Sequence, residues 1–418
     1  MAWPTGDRSL FGTEGSTRIS STTLFFIADW NRLMAKEIGT FYEFFAGGGM
    51  ARSGLAGHWR CLFANDFDHK KSATYQKNWG SEEIRTCDIR DITLQDLPEK
   101  CDLAWASFPC QDLSLAGGGA GLKGERSGTF WPFWDLIKEL SKEDRAPGII
   151  VLENVCGALS SHDGKDFATI CSALQRASYR LGAVVVNATL FVPQSRPRLF
   201  IIGIQEELEI PEGIIGESPN STWHTRTLKT AQGKLDSEVK KDWLWWDFPR
   251  PRSRRKDLLD IIEENPSDVS WHSPAETRRL LSMMSDVNAA KVEEAKQSGE
   301  RIVGTIYKRT RRDEAGLKVQ RAEVRFDNIA GCLRTPAGGS SRQLILVVEG
   351  GRVRSRLISS RETARLMGLP DHYKLPENYN EAYHLTGDGV VVPVVRYLAK
   401  HILEPIQKHQ TKKSRVAA

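Results

Sequence analysis

The chain has no C-x-x-C pair, and its seven cysteines, Cys61, Cys87, Cys101, Cys110, Cys156, Cys171 and Cys332, are scattered. Structural zinc needs clustered ligands, so no metal site is expected. An odd cysteine count in so long a chain argues against a disulfide scaffold and for a reducing, cytoplasmic setting. Long apolar runs are also missing. "TLFFIA" and "VVVPVV" fall far short of a bilayer span, and no secretory signal lines up at the N-terminus. G-x-x-x-x-G-K-[ST] occurs nowhere, which leaves a P-loop unsupported. The net charge is only +5, but it is unevenly spread. Residues 301–356 carry 13 Lys/Arg against 5 Asp/Glu, and "RPRSRRK" (250–256) holds five basic residues and no acid.

What the chain does have is length and alternation. Its 418 residues allow one large α/β domain and a smaller one. From 40 to 204, short apolar strands ("TFYEFFA", "CLFAND", "CDLAWAS", "GIIVLENV", "GAVVVNATLFV", "RLFIIGI") alternate with helical spacing in 130–142 and 165–179. This predicts a doubly wound, mostly parallel sheet with ligands at the carboxyl ends of its strands. Residues 205–355 lose the alternation and mix tryptophans with basic clusters, as expected of a separate, irregular domain. Pattern resumes with "SSRETARLMGLPD", where Ser360 is the expected cap of a helix, and with a helical stretch in 388–406. The expected organisation is an extension (1–33), a catalytic domain (34–204), an irregular domain (205–355), a return to the first (356–405) and a basic tail (406–418) whose last residues, "KKSRVAA", read as frayed. For 1–33, Ser/Thr-rich and aperiodic, a dispensable stretch before Met34 and a short ordered helix both stay open.

Three strand ends carry nucleoside-binding chemistry. The first closes in Phe45-Ala46-Gly47-Gly48-Gly49, which lets backbone approach a ligand. The second ends in Asp66 and Phe67, an acid for ribose hydroxyls and a ring for a base. The third offers Asp88, followed by Ile89. Each acid alone reads as a solvated loop carboxylate; acceptable residues at three successive strand ends favour an adenosine cofactor.

"ASFPCQDLSLAGGGAGLKGERSG" (106–128) fixes one thiol and then runs into glycine. Pro109 restricts its own backbone and that of Phe108, so the approach to Cys110 is pre-set. An isolated cysteine is usually an inert core residue. Here Glu153 and Asn154 end another strand, and Arg196 and Arg198 precede a further one. A thiolate, a carboxyl and a guanidinium meeting in one crevice suit attack on an electron-poor ring.

The segments "FFAGGG", "SFPCQ", "LENV", "PQSRPRLF", "RETARLMGLPD" and "GDGVV" resemble, in order, those of the cytosine-C5 DNA methyltransferases of restriction–modification type. The resemblance covers 40–204 and 355–403. It implies Cys110 as the nucleophile toward cytosine C6, Glu153 at N3, Arg198 at O2, and Arg196 and Asn154 in support. For S-adenosylmethionine, converted to S-adenosylhomocysteine, it implies Phe45, Ala46, Gly47, Gly49, Asp66, Phe67, Asp88, Ile89, Pro109, Asp388 and Gly389. Residues 205–355 become a target-recognition domain for double-stranded DNA, where basic residues interleaved with Trp243, Trp245 and Trp246, and "YKRTRR" (307–312), suit phosphate contacts. Implied DNA contacts are Gln111, Ser114, Lys123 and Arg126 in a glycine-rich lid, then Gln194, and Arg334, Gly338, Gly339 and Arg342 in a second loop. The base is expected to be flipped out of the duplex. A monomer is expected; a cognate restriction endonuclease beside it follows from the family, not from any residue, and a solitary regulatory methyltransferase would look the same in sequence.

Two departures stand out: Glu43 where aspartate is common, and Gly387-Asp388-Gly389-Val390 where many members have Gly-Asn-Ser-Val. An acid at 388 either repels the methionine carboxylate of the cofactor or accepts from its ammonium. Three rivals are weighed. An RNA cytosine methyltransferase shares the chemistry but usually lacks so long a recognition domain. A folate-dependent pyrimidine methylase does not suit the adenosine-type strand ends. A catalytically silent DNA-binding relative is opposed by intact Cys110, Glu153 and Arg198.

Overall fold

Side chains on both faces are buried along β1 (Gly39–Phe44), β4 (Leu103–Ala106) and β5 (Ile149–Val155). Leu103, Trp105, Ile149 and Val151 join one apolar core, and Ala104, Ala106, Ile150 and Leu152 the other. Strands apolar on both faces need cover on both, which is the parallel α/β condition. The computed structural model describes residues 37–109, 127–313, 315–335 and 342–417. With β2 (Trp59–Asp66), β3 (Ile84–Thr86), β6 (Tyr179–Asn187) and β7 (Pro197–Gln205), these strands form a seven-stranded sheet ordered β3-β2-β1-β4-β5-β7-β6.

All of these pairings are parallel except those of β7, which runs antiparallel to β5 and β6. That reversal matters for the site. It sets Arg198, at the start of β7, level with Val155 at the end of β5.

Helices Phe130–Lys142 and Lys165–Arg176 cover one face with Phe130, Phe133, Trp134, Phe167 and Ile170. The other face is covered by Met50–Leu55 and, from the far end of the chain, Val392–Leu398, through Met50, Leu55, Val394, Val395 and Leu398. The C-terminal return therefore completes the first core. It also runs on as the helix Glu404–Ala417, where a frayed tail was expected. Ile406 is buried, and Gln407 Nε2 donates to Asp102 Oδ1 at 2.6 Å, which holds the helix to the sheet.

The region from 205 divides differently from the expectation. β8 (Ile215–Gly216) and β9 (Trp245–Trp246) form a short pair against the first domain. Trp223, Trp246, Phe248, Leu258 and Ile261 join one of its cores, and Leu228, Leu235, Val239 and Trp243 the other. Trp243 and Trp246 are thus core residues, not phosphate contacts. An independent layer forms only later, from β10 (Arg301–Arg312), β11 (Lys318–Arg325), β12 (Leu344–Glu349) and β13 (Arg352–Leu357), antiparallel in the order β11-β10-β12-β13. Leu344, Leu346 and Val348 of β12 pack with Leu280, Met284 and Val292 from the preceding helical segment. Ile345 and Val347, on its other face, join the main core.

The return after β13 is locked by a buried ion pair. Arg356 and Glu362 are both fully buried and paired at 2.8 and 2.5 Å. The helix Ser360–Leu366 is capped by Ser359, one residue before the expected Ser360, because Glu362 reaches back to the Ser359 N–H at 2.7 Å. Arg356→Met strands the buried Glu362 and is expected to cost about 3–5 kcal/mol, and adding Glu362→Gln should recover part of it; urea unfolding of the two variants checks this. Gly182 in β6 is a second sensitive point, since a Cβ there would lie 2.0 Å from the Leu244 carbonyl oxygen. Gly182→Ala should lower the urea midpoint by the equivalent of about 1–3 kcal/mol. Gly233→Ala, with nothing within 4 Å, should not.

Candidate active site

The glycine turn after β1 is built by backbone that few other residues adopt: Phe45, Gly47 and Gly49 have φ of 58°, 56° and 76°. Asp66, 6% exposed at the end of β2, clamps this turn. Its Oδ2 accepts from Gly47 N at 2.8 Å and its Oδ1 from Asp68 N at 2.9 Å. Burial raises its pKa, against the pull of Lys71. Beside it Phe67 is 64% exposed, a large ring left in solvent. Among the described residues, no atom lies within 4 Å of where a Cβ on Gly47 would stand. Open space over a glycine, a clamped carboxylate and a bare aromatic ring are what a nucleoside needs.

Other residues expected at this crevice have mixed positions. Asp88 closes on Arg90, accepting from its Nε at 2.9 Å and Nη2 at 2.7 Å, which holds its pKa below the usual range. Ile89 is buried beneath it, Ala46 is buried in the turn, and Pro109 is half-buried. Glu43, below the turn, accepts from Arg52 N, and burial pushes its carboxyl up to about 8.

The C-terminal motif meets the turn from the other side. Tyr373 donates its hydroxyl to Gly48 O at 2.6 Å. A Cβ on Gly389 would lie 2.2 Å from Met50 Sδ, so a serine there would require the Met50 side chain to shift. Asp388 is not left facing the crevice as a bare charge. Its Oδ2 lies 2.6 Å from Lys71 Nζ, and its other oxygen accepts from the Thr335 hydroxyl. Burial raises its pKa, but Lys71, Thr335 and Arg196 outweigh that and hold it low.

On the reaction side, Ser107, Phe108 and Pro109 lead out of β4 toward Cys110. Cys110 lies outside the described residues, as do Gln111, Ser114, Lys123, Arg126, Gly338 and Gly339. Asn154 fixes this strand end, donating from Nδ2 to Phe108 O at 3.2 Å. Glu153, 6% exposed, pairs with Arg198 Nε at 3.1 Å and hydrogen-bonds Ser107, which in turn accepts from Trp105 Nε1 at 3.0 Å. Burial raises the Glu153 pKa, against the lowering effect of Arg198 and Arg196. Its carboxyl is thus shifted toward the protonated form a proton donor requires.

Arg196 does something other than touch a ligand. Fully enclosed, it donates to Leu333 O at 2.9 Å, Gly387 O at 2.8 Å and Gly389 O at 2.7 Å. Gln194 corrects the sequence reading. It is completely buried, donating to Leu366 O at 2.8 Å and accepting from Leu333 N at 3.1 Å, so it braces the domain junction and cannot reach DNA. Arg342 is engaged by Asn380 and lies over the Tyr379 ring, whereas Arg334 is exposed in the cleft.

That cleft, about 760 Å³, runs between the ends of β5 and β7 and the second sheet. Arg198, Arg309, Arg325, Arg334 and Lys291 line it together with Tyr307, Glu323 and Cys332. Cys332 went unremarked as a site residue in the sequence. Burial raises its thiol pKa, but the guanidiniums of Arg196 and Arg198 outweigh this and leave it below the usual range. Lys71 was also missed. Only the acid at 388 signalled that a cation was required.

Comparison with known proteins agrees with this geometry. The family model for C-5 cytosine-specific DNA methylase matches residues 39–404. The chain is 26% identical over 398 residues to the Type II methyltransferase M.HpaII of Haemophilus parainfluenzae, covering 89% of this chain and 91% of that one. It is 27% identical over 372 residues to M.NlaX of Neisseria lactamica, covering 86% and 95%. Among solved structures, the Entamoeba histolytica methyltransferase EhMeth superposes with a TM-score of 0.55 at 14% identity, covering 88% and 98%. The S. pombe Dnmt2 methyltransferase gives 0.51 at 17% identity, covering 88% and 99%. Those two share the fold. With a family match spanning nearly all the described residues, the chain belongs to the C-5 cytosine-specific DNA methylases and is a DNA cytosine-5-methyltransferase.

Proposed function

We propose that the protein methylates C5 of a cytosine flipped out of duplex DNA, with S-adenosylmethionine as donor and a transient Cys110–C6 bond, as the modification enzyme of a restriction–modification system. It would act as a cytoplasmic monomer beside an endonuclease of matching specificity. The observation that carries the chemistry is the buried Glu153–Arg198 pair against the strand end that leads into Cys110. The Type II methyltransferase relatives support the biological role.

S-adenosylmethionine supplies a methyl group on a sulfonium, and Gly47, Asp66, Phe67 and Ile89 would hold its nucleoside part. Cytosine C5 is too weak a nucleophile to take that methyl directly. Cys110 adds as a thiolate to C6 while Glu153 gives its proton to N3, so the ring becomes a neutral enamine with electron density at C5. Arg198 donates to O2 and fixes the ring in plane. Once C5 is methylated, its proton is lost to a base. Departure of the Cys110 thiolate, with return of the N3 proton to Glu153, restores aromaticity. Extruding the base costs a few kcal/mol. Arg309, Arg325, Arg334 and Lys291 along the cleft offer phosphate contacts toward that cost.

Labelled methyl transfer to duplex DNA, followed by bisulfite sequencing, tests the reading. Wild type should leave 5-methylcytosine at one recurring sequence, and Cys110→Ala should abolish transfer. Transfer to tRNA but not to duplex DNA would replace the reading with the RNA one. A second prediction concerns pH. The Glu153 carboxyl must be protonated to serve N3, and its pKa is raised. The single-turnover rate should therefore hold to a pH above the ordinary carboxylate range and fall as pH rises through that raised value. Glu153→Gln should slow turnover about 10²–10⁴-fold and erase this limb.

A further inference from the structure

Lys70 and Lys71 are neighbours in the first turn of the helix His69–Trp79, yet they do different things. Lys70 Nζ pairs with Glu381 at 2.9 Å, its side chain 68% exposed. That contact already ties this helix to Tyr379–Asp388, and a surface pair of this kind contributes little. Lys71 turns inward, its side chain 19% exposed, to Asp388, which is 39% exposed and held from behind by Thr335. Lys71 also acts on Asp66, the carboxylate that clamps Gly47. Asp66, which clamps Gly47, is thus close to Lys71, and Lys71 in turn carries Asp388. Residue 389, a glycine packed against Met50, offers no side-chain donor itself.

We propose that Lys71 is a binding residue for the amino-acid end of the cofactor, its ammonium receiving the methionine α-carboxylate while Asp388 receives the α-ammonium. This rests on the proposed use of S-adenosylmethionine. A zwitterionic ligand end meets a zwitterionic pair, with each charge opposite its complement, and the acid at 388 repels nothing because Lys71 stands beside it. Lys71 acts on binding and not on the reacting atoms.

The test is equilibrium binding by calorimetry, with S-adenosylhomocysteine and 5′-methylthioadenosine as probes. The second keeps the adenosine and thioether but lacks the amino-acid end. Lys71→Met should weaken S-adenosylhomocysteine at least about tenfold, the scale of one charge-assisted hydrogen bond, and leave methylthioadenosine unchanged. Lys71→Arg should restore most of the loss. Equal weakening of both probes would mean that Lys71 only shapes the fold, and would overturn the proposal. Unchanged binding of S-adenosylhomocysteine would overturn it too, with the cofactor reading intact. A wild type that binds neither probe would sink the cofactor reading itself, and this proposal with it.

Discussion

The guanidinium of Arg196 joins parts of the chain that no local rule would bring together. It leaves the start of β7 and donates to the carbonyls of Leu333, Gly387 and Gly389. One of these lies on the segment running from the second sheet to the glycine loop, and two flank the motif that closes on the turn after β1. A buried guanidinium without acceptors is very costly. The three carbonyls are therefore fixed by the cation as much as they fix it. Gln194 repeats the arrangement two residues earlier, between Leu333 and Leu366. The short Pro193–Arg196 stretch thus serves as the hinge pin of the molecule, and the geometry of crevice and cleft follows from it.

Much of this was legible in the sequence where chemistry sits at the end of a regular strand. Short apolar runs alternating with helical spacing located β1, β2, β4, β5, β6 and β7, and strand ends marked by glycine, proline or an acid drew attention to Gly47, Asp66, Glu153 and Arg198. What the sequence could not disclose are contacts made across the return of the chain. Lys71 and Asp388 are 317 residues apart, and nothing in the local pattern of either names the other. Trp243 and Trp246 were misjudged for a related reason. A tryptophan beside basic residues is consistent with a nucleic-acid surface or with a core, and only the packing under β6 decides. Gln194 was a DNA contact only by the family resemblance. Its burial is set by Leu333 and Leu366, both far off in sequence.

Reversal of β7 has a chemical result. In an all-parallel sheet the start of a strand lies at the edge away from the ligand. Running β7 backwards delivers Arg198 to the end of β5, where it meets Glu153. Burial and the guanidinium then push the carboxyl in opposite directions. A proton held there is available without being lost to solvent, and it lies beside the strand end that Asn154 anchors.

The packing of Met50 against Gly389 carries a different kind of consequence. A methyl-sized addition at 389 would collide with Met50 Sδ, and Met50 is itself only 2% exposed among core neighbours. A side chain at 389 therefore requires the Met50 thioether to swing aside within its packed surroundings, whereas shrinking Met50 alone opens a void in the first core. The two positions are coupled, so what can stand beside the glycine turn depends on how Met50 packs.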